Sequence, residues 1–147
     1  MTSILAIDPG AGGGMAVHQS DGYVDTIPMP ESMTGQIDAV RHMAVSNPGI
    51  VAVMEKVGFH RPGNSAVSTA KFARHVGHLE AALYSAGIPF TEVAPAKWMQ
   101  AVGNWPADKT DRKRAVKEEM ARRFPHLTVT LKTADALGIL EYARKTL

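Results

Sequence analysis

At 147 residues the chain suits a single domain over 1–147 with one core and is too short for two, and its 45% hydrophobic and 20% charged content argues against disorder or collagen-like repeats. It contains no cysteine, which excludes disulfides, thiolate zinc sites and cysteine nucleophiles and makes hard divalent ions, held by oxygen or imidazole, the default metals. The net charge of +2 hides an asymmetry, since residues 1–60 hold 2 Lys+Arg against 6 Asp+Glu and residues 61–147 hold 14 against 8; this suits an enzyme that grips a polyanion and keeps acids for metal, or a plain solvated basic face.

In chain order, residues 3–8 (SILAID) are apolar and strand-like, the glycine-rich DPGAGGG turns into the strand MAVHQ, and a Ser-Asp-Gly turn leads to the strand YVDTI. After a loop at 28–34, Ile37, Val40, Met43 and Ala44 recur at helical spacing and predict a helix over 35–46, stopped by Asn47-Pro48-Gly49. GIVAVMEKV reads as a strand buried on both faces. A loop at 58–64 precedes a helix over 65–86, with Ser65 as its cap and Phe72, Val76, Leu79 and Leu83 inward. IPFTEVA predicts a short fifth strand, and PAKWMQAVG a helix with proline in its first turn. Residues 109–124 read as a helix with Lys109, Lys113 and Lys117 in a row, 127–131 as a brief extended piece, and 133–145 as the last helix. The order β-β-β-α-β-α-β, followed by the remaining helices, predicts an α/β, ribonuclease H-like fold: a five-stranded mixed sheet flanked by helices.

In that arrangement three acids converge. Asp8 ends the first strand, Glu55 ends the fourth, and Asp135 opens the last helix. Neighbouring strand ends would bring the first two together, and the helix would add a third oxygen ligand. Two Mg²⁺ or Mn²⁺ ions roughly 3.5–4 Å apart would neutralise such a cluster, activate a water and stabilise the leaving oxygen of a phosphodiester. Each acid also has a plainer role available, Asp8 in setting the turn before Pro-Gly and Asp135 in capping its helix. Trp98 reads as core, Trp105 as more exposed and available to stack on a base. The histidines have no metal-ligand spacing; His75 and His78 read as surface or DNA-facing.

These residues resemble the RuvC-like Holliday junction resolvases, especially compact phage-type members, over nearly the whole chain. LAIDPG with its following glycine is similar to the first motif of that family, VAVMEKV to its strand-four glutamate motif, GNSAVSTAKFARHVGHLEAAL to the next helix, VAPAKWMQAVG to the proline and tryptophan segment, and TADALGILEYA to the last motif. The resemblance implies a homodimeric, metal-dependent endonuclease nicking two opposed strands of a four-way junction and leaving 5′-phosphate and 3′-hydroxyl ends. It implies Asp8, Glu55 and Asp135 as catalytic metal ligands for two Mg²⁺ or Mn²⁺ ions. Lys109 matches a lysine placed near the scissile phosphate, where it would offset developing charge.

The family's further acid, three residues before the final aspartate, is replaced here by Lys132; either water or a phosphate oxygen completes the metal shell in its place, or the loop before Thr133 is shortened and Lys132 contacts the phosphate. Glu141 is no substitute, being about 240° round the helix from Asp135. Phe59 resembles, offset by one, an aromatic near the junction centre and would wedge between bases. Arg61 and Asn64 in that loop, Lys71 and Arg74 on the helix over 65–86, and Lys113 and Lys117 complete the expected DNA contacts.

Two other readings stand beside this one. A non-cutting branched-DNA-binding protein of the same fold is compatible with Lys132, and an ATPase-type half domain with the Asp-Gly hairpin, although such enzymes clamp nucleotide between two domains. A dinucleotide or P-loop reading fails on spacing, because Met15 stands where a third glycine is needed and no Lys-Ser or Lys-Thr follows. No apolar run approaches the roughly 20 residues of a bilayer span, and MTSILAIDPG lacks signal-peptide character. A cytoplasmic protein with no membrane partner is expected, and the resemblance places it in a prokaryotic or phage-infected cell.

Overall fold

The computed structural model describes residues 1–58 and 62–147. The expectations for Phe59 and Arg61 therefore lie outside the described residues. Strands β1 (Ile4–Asp8), β2 (Gly14–His18), β3 (Val24–Pro28), β4 (Val51–Glu55) and β5 (Phe90–Val93) form one sheet in the order β3-β2-β1-β4-β5. β1 to β3 form antiparallel hairpins, while β4 pairs parallel to β1 and β5 parallel to β4. This is the five-stranded mixed sheet expected from the element order, with helical crossovers supplying the parallel pairs.

The helices are α1 (Met33–Ser46), α2 (Ala66–Ser85), α3 (Pro95–Val102), α4 (Lys109–Arg123) and α5 (Leu131–Thr146). α1 starts two residues before its expected position because the Ser32 side chain accepts a hydrogen bond from the Gly35 N–H at 3.0 Å. Ser65 caps α2 as expected, accepting from the Ser68 N–H at 3.1 Å.

The last helix starts two residues before its expected position, at Leu131 rather than Thr133, while Thr130 just before it keeps the expected extended backbone. Thr130 and Thr133 satisfy each other's backbone N–H groups in a reciprocal cap, which fixes this start. Asp135 consequently sits in the second turn of α5, and a capping role is removed from it.

Two cores lie on opposite faces of the sheet. Ile4, Ala6, Ala16, Val53 and Val93 pack against α3, α4 and α5; Leu5, Ile7, Met15, Ala52 and Met54 pack against α1 and α2. The period of two along each strand separates these sets. By the same period Asp8 follows Ala6 and Glu55 follows Val53, so both acids belong to the face that carries α5. The helical clamp on that face is held by Arg123, whose guanidinium donates to the Val102 carbonyl, to Glu119 and to Glu141. Hydrogen bonds from Arg122 and Arg123 hold the Glu119 carboxyl down to about 2.

Candidate active site

β1 and β4 are in register up to Ile7 beside Met54. One residue further, Asp8 and Glu55 end neighbouring parallel strands, about 4.8 Å apart in the pairing direction. Both line a cleft of about 520 Å³ that also takes Asp135 from α5, Lys109, Arg112 and Lys113 from α4, and the loop from Pro9 to Gly13. The three acids singled out in the sequence thus open onto one cavity, with Lys109 at its edge.

Glycine shapes the near wall. Gly10 has φ +114°, in the left-handed region, and its carbonyl accepts from the Gly13 N–H at 3.0 Å to close the turn. A Cβ on Gly13 would overlap the Asp8 carbonyl, and one on Gly14 would stand 2.5 Å from the carbonyl oxygen of Lys132. The glycine run therefore lets the hairpin fold over the end of β1 and lets the first turn of α5 approach β2. It is a packing device, which agrees with the failure of the nucleotide-loop spacing.

Each carboxylate has a distinct setting. Glu55 Oε2 accepts from the indole Nε1 of Trp98 at 2.7 Å. Asp135 is 14% exposed at its side chain, and the Lys113 ammonium lies 3.5 Å from its Oδ2. Lys113, expected among the DNA contacts, lines the cleft itself. Among the described residues no three His, Asp or Glu side chains stand close enough to hold one metal ion together. In kind, the three carboxylates fit a hard divalent cation: all are oxygen donors opening on one cavity, and among the described residues no imidazole lines it. Glu141 is bound by Arg123 and Arg144 outside this cleft, as the angular argument required.

A second groove of about 840 Å³ shares Gly10, Ala11 and Phe72 with the first. Lys71, Arg74 and Lys132 line it, with His78 and Met33. Lys132 is exposed and belongs to this groove rather than to the carboxylates. Lys117 and Asn64 are exposed and line neither cavity.

His75 is half-buried and lines the second groove, and it also has a structural role: its Nε2 accepts from the Gly10 N–H at 2.9 Å, so Nδ1 carries the proton and donates to Gln36 Oε1 at 3.1 Å. Gln36 is buried and donates in turn to the Pro30 carbonyl. Burial, and then His78, push the imidazole below its ordinary value. Trp105 is half-buried, more exposed than Trp98 as expected. Its ring packs on Gly103, and Nε1 donates to the Met99 carbonyl at 2.8 Å, closing the end of α3.

No family model matches the sequence, and no curated protein matches it. Solved structures do. RuvC of T. thermophilus in complex with Holliday junction substrate superposes with a TM-score of 0.63 at 19% identity, covering 99% of this chain and 97% of that one. The fold is ribonuclease H-like, of the RuvC kind. A second T. thermophilus RuvC structure gives 0.58 at 19% identity, covering 98% and 96%. The Fowlpox virus resolvase bound to substrate Holliday junction DNA gives 0.51 at 12% identity, covering 97% and 99%.

Sequence reasoning missed Arg112 and the second role of Trp98. Arg112 stands three residues from Lys109 and one from Lys113, a neighbourhood that a search restricted to four-residue steps passes over. For Trp98 the signal was available: a buried indole N–H needs an acceptor, and a strand-end glutamate was an obvious one.

Proposed function

We propose that this chain is a structure-specific endonuclease that resolves four-way DNA junctions by paired phosphodiester hydrolysis, leaving 5′-phosphate and 3′-hydroxyl ends. The observation that carries the reading is the convergence of Asp8, Glu55 and Asp135 on a cleft rimmed by Lys109, Arg112 and Lys113, within a fold shared with RuvC and a poxvirus resolvase. Asp8, Glu55 and Asp135 would hold two Mg²⁺ or Mn²⁺ ions, which when bound supply a water-activating Lewis acid and charge stabilisation for the departing oxygen.

The chain's own residues do the remaining work. Lys109 and Arg112 at the start of α4 attract the scissile phosphate and offset charge that develops on it. Lys113 neutralises Asp135 in the free protein, and an incoming phosphate competes for its ammonium. Lys71, Arg74 and Lys132 offer a second line of cations across the Gly10–Ala11 ridge, suited to the backbone of a flanking strand. Lys117 and Asn64 contribute further out.

Paired cutting calls for two sites, and a two-fold homodimer supplies the second. Its contact is the outer face of α2, where Val67, Ala70, Gly77, Ala81 and Tyr84 are exposed at helical spacing. Light scattering at working concentration reads this directly: full paired cleavage by a monomer overturns it.

The activity is tested on a synthetic four-way junction and a matched duplex with Mg²⁺, Mn²⁺ or EDTA. Symmetric nicks in the junction alone, abolished by EDTA, are expected. Junction binding without cutting in either metal makes the protein a non-cutting binder and overturns the nuclease reading.

A further inference from the structure

Trp98 is fully buried, yet its one polar atom is committed to the cleft. A backbone carbonyl would satisfy an indole N–H, as the Met99 carbonyl does for Trp105. Trp98 instead donates to the Glu55 carboxylate at 2.7 Å. The other edge of the same ring lies against Gly138 of α5, where a Cβ would overlap the indole. Gly138 is three residues after Asp135, less than one turn along the same helix. The indole is therefore a rigid spacer, with the strand end that carries Glu55 on one side and the helix that carries Asp135 on the other.

This placement has two physical effects. A glutamate side chain loses rotamer entropy when it must adopt one geometry to ligate. A charge-assisted hydrogen bond that already selects that geometry removes part of the cost. Packing on Gly138 also ties the indole to α5, so the width of the ring helps set the distance between the strand end that carries Glu55 and the helix that carries Asp135. A smaller ring or a larger residue 138 would change that separation.

We propose that Trp98 is a positioning residue which, through its bond to Glu55 and its seat on Gly138, sets the affinity of the cleft for a divalent cation. This rests on reading the cleft as the cation-holding site of a nuclease. Donors onto ligating groups typically change metal affinity by about 10–100-fold when removed, and Trp98 is such a donor.

The test uses the full chain with Trp105→Phe, which leaves Trp98 as the one tryptophan of the two in the sequence. Mg²⁺ is titrated calorimetrically and, in parallel, by Trp98 emission. The expected result is an emission change with the calorimetric midpoint. In an otherwise native chain, Trp98→Phe keeps an aromatic ring without the N–H and is expected to weaken Mg²⁺ affinity about 10-fold or more. Its junction affinity in EDTA stays at the parent's value. Mg²⁺ binding that leaves Trp98 emission unmoved overturns the proposal, as does parental Mg²⁺ affinity in a folded Trp98→Phe chain; either makes Trp98 a packing residue only. Should Trp98→Phe not fold, the emission titration decides alone. A parent chain that binds no Mg²⁺ by calorimetry overturns the cation reading of the cleft and this inference together, which separates that failure from the first two.

Discussion

The two faces of the sheet are built to different specifications. Beneath α1 and α2 the strands present Leu5, Ile7, Met15, Ala52 and Met54 to an apolar helix pair. The polar path on this side, His75 to Gln36 to Pro30, ends on the backbone of the Gly10 loop. Beneath α3, α4 and α5 the same strands end in Asp8 and Glu55, and the helices meet them with Trp98, Lys113 and Asp135. One face thus fixes the loop by its main chain, and the other gathers charge. The lesson is that a strand whose successive side chains point to opposite faces can carry scaffold on one face and gathered carboxylates on the other.

The contrast is broken most sharply at the charged face. Asp8→Asn and Asp135→Asn keep side-chain volume and remove charge; nicking should fall by orders of magnitude while the melting temperature and junction binding persist. Because Thr130 caps α5, Asp135→Asn tests charge with no capping contribution. Unchanged nicking rates in both variants would reassign the cleft. On the other face, Leu83 is fully buried in α2, and Leu83→Ala should cost about 2–5 kcal/mol of stability. Its nicking rate, measured well below the lowered melting temperature, should match the parent. A selective loss of cleavage would mean that the faces are not separable.

The architecture was legible in the sequence because every strand is short, β1, β2 and β4 are largely apolar, and Gly, Pro or Asn residues mark most of the turns, which leaves little choice of element order. Asp8 and Glu55 were legible for the same reason, since strand ends are fixed by the turns that follow them. The start of α5 was not: the reciprocal Thr130–Thr133 cap begins the helix at Leu131, two residues before the apolar spacing alone places it. The hydrogen bonds of His75 were not legible either, because its partners, Gly10 and Gln36, lie 65 and 39 residues away. Helical spacing reports a residue's own helix and is silent about what packs on it.

A milder intervention follows from His75. Burial lowers its pKa in the folded chain below the ordinary 6.5, so the unfolded chain binds more protons between the two values. Stability must then rise with pH in that interval and fall as pH drops below about 6.5. Burial, and next Arg144, lower His18 as well, so it adds a slope of the same sign. His75→Gln should lose less stability than the parent between about pH 7 and pH 5 in chemical denaturation. An identical decline would remove His75 from the acid response.

The smallest expected effect concerns Lys117, exposed on α4 away from both cavities. Lys117→Glu should reduce the log-log salt slope of junction binding by about 1 and leave the nicking rate at saturation unchanged. Lys113→Glu, facing Asp135, should impair nicking as well, so the pair distinguishes cleft from outer surface along one helix. Equal effects of the two reversals would erase that distinction.

The packing of α5 on the sheet also dictates when in folding the cleft comes into being. Asp8 lies in the first strand and Asp135 in the last helix, so their meeting closes a loop that spans most of the polypeptide. Loop closure of that length delays the contact relative to local hairpins. Until α5 docks, Ile4, Ala6 and Ala16 face water on one side of the sheet, a surface open to self-association. Burial of that surface and assembly of the carboxylates are thus a single event in folding: a chain whose last helix has not yet docked has neither a complete core nor a complete cleft.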